Sequence, residues 1–599
     1  MQTKEMALAA LILLSLISAT AYLLSSEDNT DSSNEILSVD EDPLIQEEGH
    51  DHMDASMHNM SSGNIEQISY NPLTNGGNAE VTVADSPDGR TYAYQAGWSE
   101  FHITDVTDPY NTTVVGKYNQ PNTQLLDIKY LQYSGSEYVI LQNQLIDPGY
   151  ADPDVGEWGD PSQVSVILVD VTDKTDPEYV DSWYDTDHPS GPHNLYTHMI
   201  DDEWYIFVAN PDYEGCDIAI GEACGGVTIA HLNLENSPAR LLPGGGYQNA
   251  IIKLGEYEVS WETTRGGWIY IHDMTVQTWP GKDPLDPRYG RTYLYGAYWE
   301  AGVRIGDVTE VPHPVNTPAD YVFYASGCKA MGGASPTCLW RAPEVGYWMD
   351  FADFDGDGEP DSGSTGNENG GRSSYIHYTE PYPEMVDISH IRPELEGERH
   401  LITAAVEVLS TYVGTGMIYV IDNTDYEVVN GNLRFLPKLV GDWEIPTSGL
   451  HCFGESCEAH SNGDEWLLFS PHNLDSGHFI TDEEKPDQSY GGGWDGRLYI
   501  SHYHAGLWIV DVETIIATGN SENRNASHLS STVAYILPQN NAYGEPLDSN
   551  FYDFGWIPFL WAAEYHDGYT YLSCITSGLY IAQLDIDIPY MEEGSSTDD

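Results

Sequence analysis

The chain has 599 residues, with 95 acidic side chains against 22 basic ones and a net charge of −73. A surface that negative repels nucleic acid and anionic membranes, so neither is expected as a partner of that surface, and it favours cations. Tyrosine dominates the aromatics with 42 copies, beside 57 Gly and 34 Pro, a mix that suits many short strands joined by turns rather than helices.

The first 25 residues stand apart. Met6 to Leu24 is almost wholly apolar, and Ala19 to Ala21 forms an Ala-x-Ala triplet. Residues 1–25 therefore read as a signal peptide or an uncleaved membrane anchor, and the bulk of the chain is expected outside the cytoplasm, extracellular or at the cell surface. Membrane association is expected only through that anchor. Residues 26–63 are acidic, polar and aperiodic, a disordered linker. The linker contains "HDHMDASMHNM", His50 to Met60, whose imidazoles and thioethers suit copper, although a solvated tail is the simpler reading.

From residue 64 to 590 one pattern recurs. Seven segments end in similar words: "SEFHITDVTDP", "SVILVDVTDKTDP", "GGVTIAHLNLEN", "AGVRIGDVTEV", "TGMIYVIDNTD", "AGLWIVDVET" and "SGLYIAQLDID". Their shared position is Asp105, Asp170, His231, Asp307, Asp422, Asp511 and Gln583. Each word alternates as a strand does, and its Asp closes it into a turn. An aromatic-rich strand precedes each word. A lone unit of this kind cannot bury both faces, so neighbours must stack. The predicted fold is all-β, a seven-bladed β-propeller. The last blade runs out of sequence after Asp585, and the strand-like Asn64 to Tyr70 is predicted to pair with it and close the ring. Residues 591–599 form an acidic tail.

These words resemble the LVIVD-repeat family of extracellular β-propellers, most plainly in "GLWIVDV" and "SVILVDVTDKTDP". The segment "GPHNLYTHMIDDEWYIFVAN", with its His opening an inner strand, is also similar. The resemblance implies a propeller architecture and leaves the activity open.

Six of the seven cysteines form close pairs, Cys216 with Cys224, Cys328 with Cys338 and Cys452 with Cys457, which read as three local disulfides in an oxidising compartment. Cys574 is left over, in a strand-like "TYLSCI" where a buried inert thiol is expected. The longest insertion, around residues 328–374, carries "DFDGDGEPD". There Asp353, Asp355 and Asp357 alternate, Gly358 permits the sharp turn, and Glu359 and Asp361 add carboxylates. Alternating carboxylates on a tight loop converge on one hard cation, and the spacing resembles an EF-hand-type calcium loop. Ser364 stands where the full motif has Glu, so weak calcium affinity is expected.

The 21 histidines include a set in phase with the repeats. His193, His272 and His377 lie at or near the start of an inner strand, with His451 as the expected equivalent in the next blade. His198, His460 and His566 form a second row near the first turn. First strands line a propeller's channel, so these imidazoles are expected to converge and bind copper, zinc or iron. His472, His502 and His504 form a second tier, with His502 and His504 sharing one face of a second strand. The alternative is that each histidine caps a turn. The "PHN…H" segments are faintly similar to the selenium-binding/methanethiol oxidase propellers, which implies a His-lined channel.

No G-x-S-x-G elbow, H-E-x-x-H or P-loop is present. Sequons stand at Asn59, Asn111 and Asn525. The expected function is a calcium-stabilised binding or scaffold module, secreted or surface-tethered, whose partner is an extracellular protein, a glycan or a small molecule. The alternatives are a metal-dependent oxidase using the His-lined channel and a carbohydrate-binding protein.

Overall fold

The structure is a computed structural model. It describes residues 61–73, 77–145, 165–183, 191–210, 226–234, 240–241, 247–248, 250–257, 259, 270–299, 301–312, 340–349, 375–407, 416–446, 470–476, 496–518, 524–538 and 559–585. The export segment, the linker and the acidic tail lie outside these residues. So do His451, His460 and the expected calcium ligands Asp353, Asp355, Asp357, Glu359 and Asp361. The three expected disulfides also fall outside: Cys216 with Cys224, Cys328 with Cys338, and Cys452 with Cys457. Among the described residues there is no disulfide, and Cys574 is a free, buried thiol.

The described chain is all-β apart from two short helices. β1 (Ile65–Pro72) comes first. β2 (Asn78–Asp85), β3 (Thr91–Asp105) and β4 (Thr113–Gln124) follow as an antiparallel unit. β3 serves twice: its front half pairs with β2 and its back half with β4. The next unit is β5 (Ile128–Tyr133), β6 (Ser136–Leu145), β7 (Ser165–Asp170) and β8 (Glu178–Trp183), joined to the first through β4 and β6. The third is β9 (Asn194–Ile200), β10 (Glu203–Asn210), β11 (Gly226–Leu232) and, after the β12 (Arg240–Leu241) and β13 (Tyr247–Gln248) hairpin, β14 (Ile251–Tyr257). The fourth is β15 (Asp273–Thr278), β16 (Thr292–Ala297), β17 (Val303–Asp307) and β19 (Glu344–Trp348), while β18 (Trp340–Arg341) runs parallel to β14.

The fifth unit is β20 (Ile376–Pro381), β23 (Leu401–Val406), β24 (Ile418–Asp422) and β27 (Lys438–Trp443). It is decorated by two hairpins, β21 (Val386–Asp387) with β22 (Glu398–Arg399) and β25 (Tyr426–Val429) with β26 (Asn432–Phe435). The sixth is β28 (Leu474–Asp475), β29 (Arg497–Ser501), β30 (Leu507–Asp511) and β31 (Thr532–Ile536), with α1 (Val512–Thr518) and α2 (Arg524–Ser531) between the last two strands. The seventh is β32 (Leu560–His566), β33 (Tyr569–Cys574) and β34 (Gly578–Leu584), and its fourth strand is β1.

The repeated D-x-T words have a local cause. The Asp that ends the third strand accepts a hydrogen bond from the N–H two residues on, at Asp105, Asp170, Asp307 and Asp422. That Asx turn stops the strand. The intervening residue then donates its N–H to the head of the second strand, as in Val106 to Thr91, Val171 to Glu137 and Val308 to Thr292. The Thr hydroxyl accepts from that same head, at 2.9 Å for Thr292 N–H to Thr309 Oγ1. The word therefore fastens the second strand to the third. His231 and Gln583 depart from it, and His231 pairs instead with Glu203 at 2.9 Å.

The apolar faces of successive units pack on one another. Leu131, Ile140 and Val166 of the second meet Leu195 and Ile206 of the third. Leu254 and Tyr257 meet Met274 and Leu294 of the fourth, and the series runs on to Tyr499 and Ile509 against Leu572 and Tyr580 of the seventh. Trp561 and Ile581 of the seventh pack with Val81 and Tyr94 of the first. The first strands also touch in sequence: β2 with β5, then β9, β15, β20, β28 and β32, and β32 with β2 again. Carboxylates stitch these neighbours by accepting backbone N–H groups. Asp127 accepts from Leu195 at 2.8 Å, Glu380 from Ser476 at 3.0 Å, Asp475 from Tyr565 at 2.8 Å and Glu564 from Val83 at 2.8 Å. Among the described residues no helix is long and apolar enough to cross a membrane.

Candidate metal centre

Four histidines arrive from the starts of four consecutive first strands. His193 precedes β9, His272 precedes β15, His377 is the second residue of β20, and His472 lies two residues before β28. All four are at most 2% exposed. Their rings form a row, with centroids 4.4 Å apart for His193–His272, 3.9 Å for His272–His377 and 4.1 Å for His377–His472. Trp561 of the seventh unit lies at 4.1 Å beyond His472, its ring tilted by 45°.

The turns between second and third strands cover this row. Glu407 follows β23, and its Oε2 lies 3.9 Å from His377 Nε2. Trp299 and Tyr503 occupy matching turns in the fourth and sixth units. Both have left-handed backbones, at φ 48° and 38°, and both bridge to the next first strand, Trp299 to Ile376 and Tyr503 to Leu560. A following glycine permits each turn. At Gly506, φ 82°, a Cβ would come within 2.4 Å of the Ile536 carbonyl oxygen. Trp299 stacks on His272 at 5.4 Å, and Tyr503 lies 5.0 Å from the His472 ring and donates to Glu407 Oε1 at 2.7 Å.

The hydrogen bonds fix part of the proton arrangement. His472 Nδ1–H donates to the Trp561 carbonyl at 2.8 Å, which leaves Nε2 with a bare lone pair. His193 Nδ1–H donates to Gln144 Oε1 at 3.2 Å, so its Nε2 accepts from His272 Nε2–H at 3.0 Å and His272 Nδ1 is bare. Several atoms of the cluster are buried without a hydrogen-bond partner: His272 Nδ1, both nitrogens of His377, Glu407 Oε2 and His472 Nε2. Each such atom costs about 1–3 kcal/mol, and folded proteins keep few of them.

Burial sets the ionisation. It pushes His193 down to about 4 and His472 down to about 3. His272 and His377 are driven well below the ordinary histidine value, first by burial and then by their neighbouring imidazoles. Burial raises the Glu407 carboxyl to about 8 against the opposing pull of the Tyr503 hydrogen bond. Neutral imidazole is the ligating form, so the site presents bare nitrogens at neutral pH. His272, His377 and Glu407 each offer a ligand atom, and the three atoms lie within 4.8 Å of one another. Bonds of ~2.0–2.1 Å to a shared ion would require these atoms to close in from that spacing. Imidazole with one carboxylate suits copper, iron or zinc.

The structure brings together His193, His272 and His377 from the first predicted row and His472 from the second tier. His198 lies at the far end of β9 and meets Thr278 Oγ1 at 3.1 Å, and His566 meets Asp85 at 3.3 Å, so neither joins the cluster. His502 and His504 do not share a strand face. β29 ends at Ser501, and the left-handed Tyr503 between them turns the chain. His502 is buried against Trp443, and His504 stacks on Phe559 at 4.3 Å. Glu407, Trp299 and Tyr503 were not singled out from sequence. The signal for His472 is the repeated "PHN", at His193 and again at His472; Glu407 carries no comparable mark in "AAVE". The buried Cys574 stays apart from the cluster, and its sulfur accepts from Phe559 N–H at 3.2 Å.

No protein-family model matches the chain, and no curated protein matches it.

Proposed function

We propose that the chain is a seven-bladed β-propeller that binds a transition metal ion on its axis, held by His272, His377 and Glu407 with His193 and His472 beside them. The propeller reading is supported by seven repeated strand units whose first strands touch in an unbroken cycle from β2 round to β32. The fourth strand of the last unit comes from β1, as a ring closed by its N-terminal strand requires. The repeat words and their resemblance to the LVIVD family add to this from sequence.

One observation carries the metal reading: His272, His377 and Glu407, each with a buried atom that lacks a hydrogen-bond partner, offer ligand atoms within 4.8 Å of one another. A scaffold has no need of them, and an apolar plug would be more stable. The activity class is a metal-dependent oxidoreductase acting on a small molecule outside the cytoplasm; copper and iron would supply that redox chemistry, whereas zinc fits the donor set but is redox-inert. The acidic "DFDGDGEPD" loop remains a proposed calcium site that steadies its insertion. Disulfides joining Cys216 to Cys224, Cys328 to Cys338 and Cys452 to Cys457 likewise remain proposals, resting on their close spacing alone.

The test is elemental analysis of the full chain after separate exposure to Cu(II), Fe(II) and Zn(II), alongside His377→Ala. About one equivalent in the wild type and none in the variant is the expected result. A wild type that retains none of the three overturns the proposal.

A further inference from the structure

The strands that carry the histidines continue into a second layer of different chemistry. Asp273 follows His272 directly, Tyr378 and Glu380 stand one and three residues past His377, and Asn473 and Asp475 one and three past His472. At ~3.3 Å per residue this layer begins within ~3–10 Å of the imidazoles. Glu80 of β2, Asp127 and Lys129 beside and on β5, and Glu564 of β32 complete it from the other side.

These groups sense one another across the axis. Glu80 feels Lys129, Asp127 and Glu564, and Tyr378 feels Glu380, Asp273 and Glu80. Tyr196 of β9 feels Glu380, Lys129, Asp273 and Asp475, which belong to four different units. Six carboxyl groups therefore surround a single ammonium, which is itself held by Asp127 at 2.7 Å; burial pushes Glu80 up to about 8 and Asp273 well above the ordinary carboxylate range. The layer is wetter than the histidine row: Glu80, Lys129, Tyr196, Tyr378, Glu380 and Glu564 are all partly exposed.

The acidic layer does not chelate by itself. Among the described residues, His272, His377 and Glu407 are the one group of three such donors within 4.8 Å. A second feature ties the layers together. Asn473, adjacent to His472 and 6% exposed, donates through Nδ2 to Glu80, while its Oδ1 has no hydrogen-bond partner.

We propose that this partly exposed acidic layer is the route by which a divalent metal ion reaches the histidine cluster, with Glu380 and Glu564 drawing the cation inward and Asn473 Oδ1 meeting it at the threshold. The physics is focusing. One sign of charge in a cleft with low-dielectric walls concentrates counter-ions and raises association rates 10–10³-fold, with a steep dependence on salt. The oxygen-lined layer holds the ion weakly, and the bare imidazoles then bind it tightly.

This inference rests on the metal-site reading, and its test separates the two. Metal-free full-length chain is mixed with Cu(II) by stopped flow, with quenching of tryptophan emission as the readout, since Trp299 stacks on His272. The final copper stoichiometry is measured separately. Glu380→Gln and Glu564→Gln are combined; each amide keeps an oxygen acceptor for its existing donor. The expected result is unchanged stoichiometry with loading slowed at least ~10-fold and a flattened salt dependence. Lys129→Gln removes the opposing charge and is expected to speed loading. Wild-type loading rates in both variants overturn the route while leaving the site intact. A wild type that takes up no copper at equilibrium overturns the site reading, and the route with it.

Discussion

Tyr503 donates its hydroxyl hydrogen to Glu407 Oε1 at 2.7 Å from a backbone held at φ 38°. A non-glycine residue in that conformation costs about 1–3 kcal/mol, and such strain persists where the surroundings over-determine it. Here the turn between β29 and β30 is bent so that one phenol reaches the carboxylate of the neighbouring unit. Trp299 repeats the device two units earlier, stacked on His272.

Tyr503→Phe tests what that hydrogen bond does. The ring stays to pack on Phe559 and His472, but Glu407 loses the donor that fixes its rotamer. Outer-shell partners of metal ligands typically contribute 10–100-fold to affinity. The variant is expected to bind Zn(II) or Cu(II) about 10-fold more weakly, with a stability change within about 1–2 kcal/mol. Competition titration against a chelator measures the first quantity and chemical denaturation the second. Equal metal affinity would make Tyr503 a packing residue only.

Metal addition should stabilise the wild type and not His272→Ala. A ligand that binds only the folded state adds about 2.7 kcal/mol when present at 100 times its Kd. Thermal melts with and without Zn(II) are expected to separate for the wild type and coincide for the variant. Removing His272 also frees His193 Nε2 from its 3.0 Å partner, so the metal-free variant is expected to melt lower by about 1–3 kcal/mol of stability.

The sequence marks the parts of this architecture that local chemistry dictates. The D-x-T words stand out because an Asx turn needs an Asp and a Thr at fixed offsets, and the alternating words need apolar residues every second position. The phase of His193, His272 and His377 is visible for the same reason, since each precedes or opens a first strand. What escapes is set by distant parts of the chain. Glu407 matters only because β23 delivers it opposite His377, and nothing in "AAVE" records that. Tyr503 escapes because "SHYHAG" alternates like a strand, while the left-handed turn is imposed by Gly506 and by the bridge to Leu560. His198 and His566 share the repeat phase but sit at the other ends of their strands, where they bond to Thr278 and Asp85.

His400 makes the fold sensitive to acid at a place apart from the axial histidine cluster. It is fully buried between the fourth and fifth units. Gln277 gives its amide hydrogen to the Tyr382 carbonyl at 2.7 Å, so its oxygen accepts His400 Nε2–H at 2.9 Å. His400 Nδ1 then accepts from Asn423 Nδ2, and burial, with Arg288 nearby, holds the ring down to about 3. The folded value lies below the unfolded one near 6.5, so between these limits the unfolded chain carries more protons. Stability therefore rises with pH across the window and falls as pH drops from about 6.5 towards 3. His400→Gln should flatten this acid limb by about 1–2 kcal/mol between pH 6.5 and 5. Urea midpoints at pH 5 and 7.5 measure it, and an unchanged slope would show that His400 does not carry the effect.

The most demanding prediction concerns β1. It pairs in antiparallel register with β34 from Ile65 opposite Leu584 to Pro72 opposite Gly578, and Tyr70 stacks on Tyr580 at 4.6 Å. The Tyr70 hydroxyl donates to the Ser577 carbonyl at 2.9 Å, and Asp585 N–H to the Asn64 carbonyl at 2.8 Å. Without β1, the edge of β34 is unpaired, and the fully buried Tyr580 and Ile581 lose their cover. Each large apolar side chain so exposed costs about 1.5–3 kcal/mol, so a chain starting at residue 74 should lose about 3–6 kcal/mol relative to one starting at residue 61. It should also self-associate through the open edge, which sedimentation reads directly. Adding a peptide spanning Ile65–Pro72 should restore both the stability and the monomer. A chain lacking β1 that melts with the longer one and stays monomeric would show that β1 only decorates β34 and does not close a ring.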